Sequence, residues 1–135
     1  MQDYKQLEVW DRGHKITLKL YPLTATFPKE ERFGMVSQIR RCSASIGANI
    51  AEGCGRNSEG DLQRFLEIAA GSASELDYHL LLARDLGFLS RHDYDGLVPE
   101  LATLRRKLTA FINRVSECRP TKNQKPKTKN NFAKC

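Results

Sequence analysis

Residues 36–56 read VSQIRRCSASIGANIAEGCGR, and at helical spacing the segment divides into three stripes. Val36, Ile39, Cys42/Ser43, Ile46, Ile50 and Gly53 form an apolar seam at intervals of three and four. Ala44, Gly47/Ala48, Ala51 and Gly55 form a seam of small residues that lets another backbone come close. The third stripe, Gln38, Arg41, Ser45, Asn49, Glu52 and Arg56, is polar. Charge is confined to Arg40, Arg41, Glu52 and Arg56, so the helix has little face to offer water. The expectation is burial on most sides, by its own bundle and by another subunit. That is a signal of assembly and names no reaction.

The flanking sequence reads as three more helices. The first covers about residues 6–24, with Leu7, Trp10, Thr17, Leu20 and Tyr21 on one side and Val9, Ile16 and Leu23 beside them. Thr26-Phe27-Pro28-Lys29-Glu30-Glu31 is a turn leading into the second helix, with proline and acids suited to a helix start. Cys54-Gly55-Arg56-Asn57 ends that helix, and Ser58 with Asp61 offers a variant capping box for the third. Leu62, Phe65, Ala69, Ala73, Leu76, Leu80 and Ala83 face inward there, and Gly87 fits its C-terminal cap. Ser90 and Asp93 repeat the cap signal before a fourth helix with a seam of Leu97, Leu101, Leu104, Leu108, Phe111, Ile112 and Val115. Pro99 implies either a regular start there or a kink. No stretch alternates at period two. The expected fold is all-α, an antiparallel up-down-up-down four-helix bundle over residues 1–115 with a basic, disordered C-terminal tail over 116–135.

At 135 residues the chain is one domain with enough length for a core. It has no run of ~18 consecutive apolar residues, so no membrane span is expected. The N-terminus, MQDYKQLEVWDRGHK, has no apolar signal region. Cys42, Cys54, Cys118 and Cys135 lack CxxC pairing and metal spacing, and read as free thiols in a reducing, cytoplasmic setting.

The net charge of +6 comes from 22 basic and 16 acidic residues. Residues 116–135 hold Arg119, Lys122, Lys125, Lys127, Lys129 and Lys134 against the single acid Glu117, so the body is nearly neutral. A basic arm of this kind suits phosphate contacts; equally, it is a solubilising extension.

No reaction chemistry is legible. The Glu-x-x-His pairs of di-metal bundles have only a distant counterpart in Glu75 and His79, without a second copy, and His14 and His92 share no motif with it. There is no P-loop, dinucleotide fingerprint, nucleophile elbow or zinc spacing. Ser43 and Ser45 have no base placed beside them. The chain is expected not to be an enzyme, with no catalytic residue, metal or cofactor.

In the polar stripe, Arg41 and Glu52 lie about three turns apart on the second helix, as do Arg64 and Glu75 on the third. If the two helices pack antiparallel about Ser58, Arg41 meets Glu75 and Glu52 meets Arg64 in a single register. Arg41, Asn49, Glu52, Arg64 and Glu75 then form either a register-fixing lock in a mostly buried seam or a ligand site, and the lock is preferred.

LEVWDRGHKITLKLY, FPKEERFGMVSQIRR, SIGANIAEGCGR and RFLEIAAGSASELDYHL together resemble the four-helix-bundle proteins encoded in intervening sequences of 23S ribosomal RNA genes. The resemblance covers roughly residues 3–115. It implies an antiparallel bundle assembled as a ring-like homopentamer. A more distant resemblance is to the accessory variability determinants of diversity-generating retroelements, pentameric bundles that engage reverse transcriptase and nucleic acid. Gln38, Arg40, Arg41, Ser45, Asn49, Glu52, Gly53 and Arg56 match the family pattern in the second helix; Phe65, Ala69, Gly71, Ser72 and Glu75 match it in the third. Gly47 departs from it, where the family often has proline.

The resulting expectation is a cytoplasmic, non-enzymatic homo-oligomer that binds RNA or another nucleic acid by charge. The alternative is a structural or protein-interaction scaffold. The body's candidates for nucleic-acid contact are Arg40, Arg41, Arg105, Arg106 and Lys107, each equally explained as solvated helix surface. Phe27, Phe33, Phe65 and Phe111 read as core or turn anchors, leaving no aromatic platform for a single strand.

Overall fold

The computed structural model describes residues 2–118. Four helices follow one another: α1 Glu8–Thr24, α2 Met35–Cys54, α3 Glu59–Asp85 and α4 Arg91–Cys118. Short 3-10 turns at Tyr4–Gln6 and Lys29–Glu31 precede α1 and α2. Cross-helix contacts fix the topology as antiparallel throughout. Trp10 lies beside Gly47 and Thr24 beside Arg40 between α1 and α2. Arg41 meets Glu75 between α2 and α3, and Arg105 meets Asp77 between α3 and α4. Glu8 with Lys107 and Lys19 with Glu100 close the bundle between α1 and α4.

The helix ends follow the capping chemistry. Ser58 Oγ accepts the Asp61 N–H at 3.1 Å, and Ser90 Oγ accepts that of Asp93 at 3.1 Å. Gly87, at φ 81°, ends α3 in a Schellman turn: Phe88 N–H donates to Ala83 O and Gly87 N–H to Arg84 O. At the start of α2 the cap comes from outside the helix, where the Glu31 carboxylate accepts the Met35 N–H at 3.1 Å. A side chain on Gly34 would lie 2.9 Å from that carboxylate, so glycine makes room for the cap. α4 begins at Arg91 and runs through Pro99, so the proline does not mark its start. It also continues to the buried Cys118, three residues beyond the expected end of the bundle.

The seam read for α2 is buried at every position: Val36, Ile39, Cys42, Ser43, Ile46, Ile50 and Gly53. α3 and α4 bury most of their expected seams, with Leu66 added on α3 and Leu62, Phe65 and Ile112 only half-buried. α1 departs further. Its buried stripe is Val9, Gly13, Ile16, Leu20 and Thr24, while Tyr21 is exposed. The small Gly13 lets α1 approach α2, since a Cβ there would meet Ile46 at 3.1 Å. The small seam of α2 is not covered by the chain's own bundle: Ala44 and Ala48 are exposed. Cys42 and Cys54 are free and buried. Among the described residues no helix is long and apolar enough to cross a membrane.

Candidate functional site

The polar stripe between α2 and α3 forms one of the two expected ion pairs. Arg41 Nη2 lies 3.9 Å from Glu75 Oε1, with Arg41 also held by Gln38 and Glu75 by His79 Nε2 at 3.3 Å. Glu52 and Arg64 do not form the second. Glu52 binds Arg56 one turn on at 2.7 Å, and Arg64 lies 3.8 Å from Asp61. Phe65 explains the difference. It packs so closely on Gly53 that a Cβ there would lie 3.0 Å from its own, and its ring takes both guanidiniums, Arg56 at 5.1 Å and Arg64 at 4.5 Å. The contact that joins the helices is instead Ser45 Oγ to Ser72 Oγ at 2.9 Å. Asn49 Nδ2 supports it from within α2, donating to the Ser45 carbonyl at 2.8 Å and its hydroxyl at 2.9 Å. The register read from the charges is therefore present, with one ion pair and one hydroxyl contact bridging the two helices along the stripe. The ion pair is half exposed, where such pairs contribute about 0–1 kcal/mol.

Behind this stripe, burial pushes the Cys42 thiol up to about 12, with the Glu75 carboxylate adding to the effect. That thiol is a core side chain, not a nucleophile at neutral pH. Among the described residues no group of three or more His, Cys, Asp or Glu is placed to hold a metal.

The body's basic candidates are dispersed. Arg105 donates to Ser74 at 3.1 Å and pairs with Asp77 at 3.5 Å. Lys107 pairs with Glu8 at 3.2 Å, beside Arg12 at 2.9 Å. Arg12 first and Lys107 second hold the Glu8 carboxyl below the usual carboxylate range. Arg106 is exposed and has no carboxylate partner among the described residues. Successive helical positions point about 100° apart, and Arg105 accordingly faces α3 while Lys107 faces α1. Arg119, Lys122, Lys125, Lys127, Lys129 and Lys134 lie outside the described residues. A groove of about 390 Å³ between α1 and α4 carries cations, but Lys15 is paired with Asp11 and Lys19 with Glu100.

Arg40 differs from the others. Its Nε donates to Thr24 Oγ1 at 2.9 Å and its Nη2 to the Tyr21 carbonyl at 3.0 Å, a carbonyl at the end of α1 that also accepts the Ala25 N–H. With Lys29 and Arg32 it lines a cavity of about 210 Å³ at the α1–α2 end of the bundle. Phe33 stands beside this cavity in sequence and is 89% exposed, contrary to its reading as a turn anchor. Lys29 was legible only as part of the turn leading into a helix, and Phe33 only as a core or turn anchor. The available signal was an aromatic flanked by a cation and a glycine, off every core seam.

These features sit on a fold with known counterparts. A solved structure of a protein with unknown function, from the S23 ribosomal protein family of Bacteroides thetaiotaomicron, superposes with a TM-score of 0.71 at 28% identity, covering 77% of this chain and 97% of that one. A comparison with curated proteins finds no match. The sequence itself matches the 23S rRNA-intervening sequence protein family over residues 5–110, a span that takes in α1, α2, α3 and most of α4. The four helices, their register and that match agree: this chain belongs to the 23S rRNA-intervening sequence protein family.

Proposed function

We propose that the protein is a non-enzymatic, cytoplasmic homo-oligomer that binds RNA or another nucleic acid by charge. The observation that carries this reading is the segregation of charge along the chain. Residues 119–135 contain six basic residues and no acid, while residues 1–118 balance 16 basic against 16 acidic. A polycation tethered to a neutral bundle gains affinity for phosphate chiefly by counterion release. Assembly multiplies the effect, since several arms around one ring bind together. The family resemblance supports a homopentamer as that ring, and the more distant one a reverse transcriptase as protein partner.

Binding of a labelled RNA by the full chain and by a chain ended after Cys118, in reducing buffer over a salt series, tests this. The full chain should bind at low salt and weaken steeply, with a log–log slope of roughly 0.7 to 0.9 per neutralised phosphate, and the shortened chain should lose most of that slope. No binding by the full chain even at low salt would favour the scaffold reading. That second reading draws on the internal pairing of Arg41, Arg105 and Lys107, which leaves the body with few available cations.

A further inference from the structure

At the end of the bundle where α1 turns into α2, Lys29, Arg32 and Arg40 converge on the 210 Å³ cavity, and no carboxylate of the described residues lines it. Arg40 is fixed in place. Besides its bonds to Thr24 and Tyr21, its guanidinium lies 4.6 Å from the Tyr21 ring, and Thr24 is anchored in turn by its own bond to the Leu20 carbonyl at 2.7 Å. Lys29 and Arg32 reach the rim from the short turn, and neither forms an ion pair with a described residue. Of the turn's two acids, Glu31 is engaged with the Met35 N–H and neither Glu30 nor Glu31 lines the cavity. The contrast with the paired cations of α1 and α4 is electrostatic: a concave site lined by three positive charges focuses potential on an anion.

Phe33 supplies the second half of the site. At 89% exposure its ring contributes nothing to the core, and the Arg32 guanidinium lies 5.5 Å from its centroid. Phe33 does not line the cavity, but its ring is in water and in contact with Arg32, which does, so one short turn offers both stacking and phosphate contact. Stacking requires a base free of its own helix, which a single strand presents and a duplex does not.

We infer that this end of the bundle is a single-strand nucleic-acid site, with a phosphodiester seated among Lys29, Arg32 and Arg40 and a neighbouring base stacked on Phe33. The inference rests on the nucleic-acid reading above and deepens it, since a basic tail alone would not distinguish strands this way.

The test uses the full chain with a labelled oligouridylate and an RNA duplex of the same length, followed by fluorescence anisotropy. Phe33→Ala should weaken oligouridylate binding roughly tenfold and leave duplex binding unchanged. Phe33→Trp, which keeps an aromatic face, should retain it. Lys29→Ala/Arg32→Ala should weaken both and lower the salt slope by about one to two. Circular dichroism and melting should show the fold intact in all variants, because none of these side chains is buried. If wild type binds oligouridylate and Phe33→Ala binds it equally well, or loses both strands alike, the site is overturned while the charge-driven function survives. If wild type binds neither strand at low salt, both fall.

Discussion

Ser45 on α2 and Ser72 on α3 meet hydroxyl to hydroxyl at 2.9 Å, about one turn along from the Arg41–Glu75 pair and in the same antiparallel register. Asn49 also donates to the Ser45 hydroxyl, and either serine can be the donor in the contact between them. Ser72→Ala should cost about 1 kcal/mol in urea denaturation, and Ser45→Ala more, because it also removes an acceptor from Asn49. The double variant should cost less than the two single changes together, by roughly 0.5 kcal/mol or more. Strict additivity would show that the hydroxyls are not coupled.

Two glycines on α2 should respond in opposite directions to the same substitution. A Cβ on Gly47 would meet only the Trp10 indole, at 3.4 Å, which is ordinary contact. Gly47→Ala should therefore gain up to about 1 kcal/mol of helix propensity. A Cβ on Gly53 would lie 3.0 Å from Phe65 Cβ, 3.1 Å from Leu62 Cδ1 and 3.3 Å from the Leu62 carbonyl. Backbone cannot yield as a side chain can, so Gly53→Ala should lose about 1–3 kcal/mol. Thermal melts of both variants check the sign of each change.

How far these features were legible depended on what encodes them. The α2 seam was readable because a fully apolar stripe at helical spacing has one packing solution, and every residue assigned to it is buried. The caps at Ser58, Gly87 and Ser90 were readable because each is a local hydrogen-bond pattern. α1 was read with its stripe rotated, because Gly13 and Thr24 carry no hydrophobic signal although both are buried. Glu52 and Arg64 show the limit at the surface. Charge spacing located the register, but Phe65 between them and opposite charges one turn away, Arg56 for Glu52 and Asp61 for Arg64, decided the partners. The end cavity escaped because its three cations come from two segments and meet only in the fold.

Cys42 should impose an alkaline limit on stability. Its folded value is raised from 9.0 to about 12, so above about pH 9 the unfolded chain gives up a proton that the folded chain keeps. Stability from this thiol is then fully present below about pH 9 and declines as pH rises toward 12, by at most ~1.4 kcal/mol per pH unit. Urea midpoints measured across the alkaline range should fall more steeply for wild type than for Cys42→Ala. Parallel curves would mean that other groups carry the whole effect.

The outward face of α2 and α3 yields the last prediction. Gly71 lies mid-helix on α3 with no atom of the described residues within 4 Å of the position a Cβ would take, so none of them requires glycine there. Glycine there costs helix stability of about 1 kcal/mol relative to alanine. The register in which Ser45 and Ser72 meet brings Ala44 and Ala48 level with Gly71 and the exposed Ile68, and Tyr78 is exposed further along α3. Small residues facing outward between larger apolar ones let a second backbone come close, as the proposed assembly requires. Native mass spectrometry of wild type should give a homo-oligomer at micromolar concentration. Gly71→Arg should shift it to monomer while circular dichroism remains helical, since the arginine meets only solvent in the isolated chain. Gly71→Ala should raise the melting temperature if the chain is monomeric, and should weaken assembly if this face lies between subunits. A wild type that remains monomeric would overturn the assembly and remove the multivalent basis for nucleic-acid affinity with it.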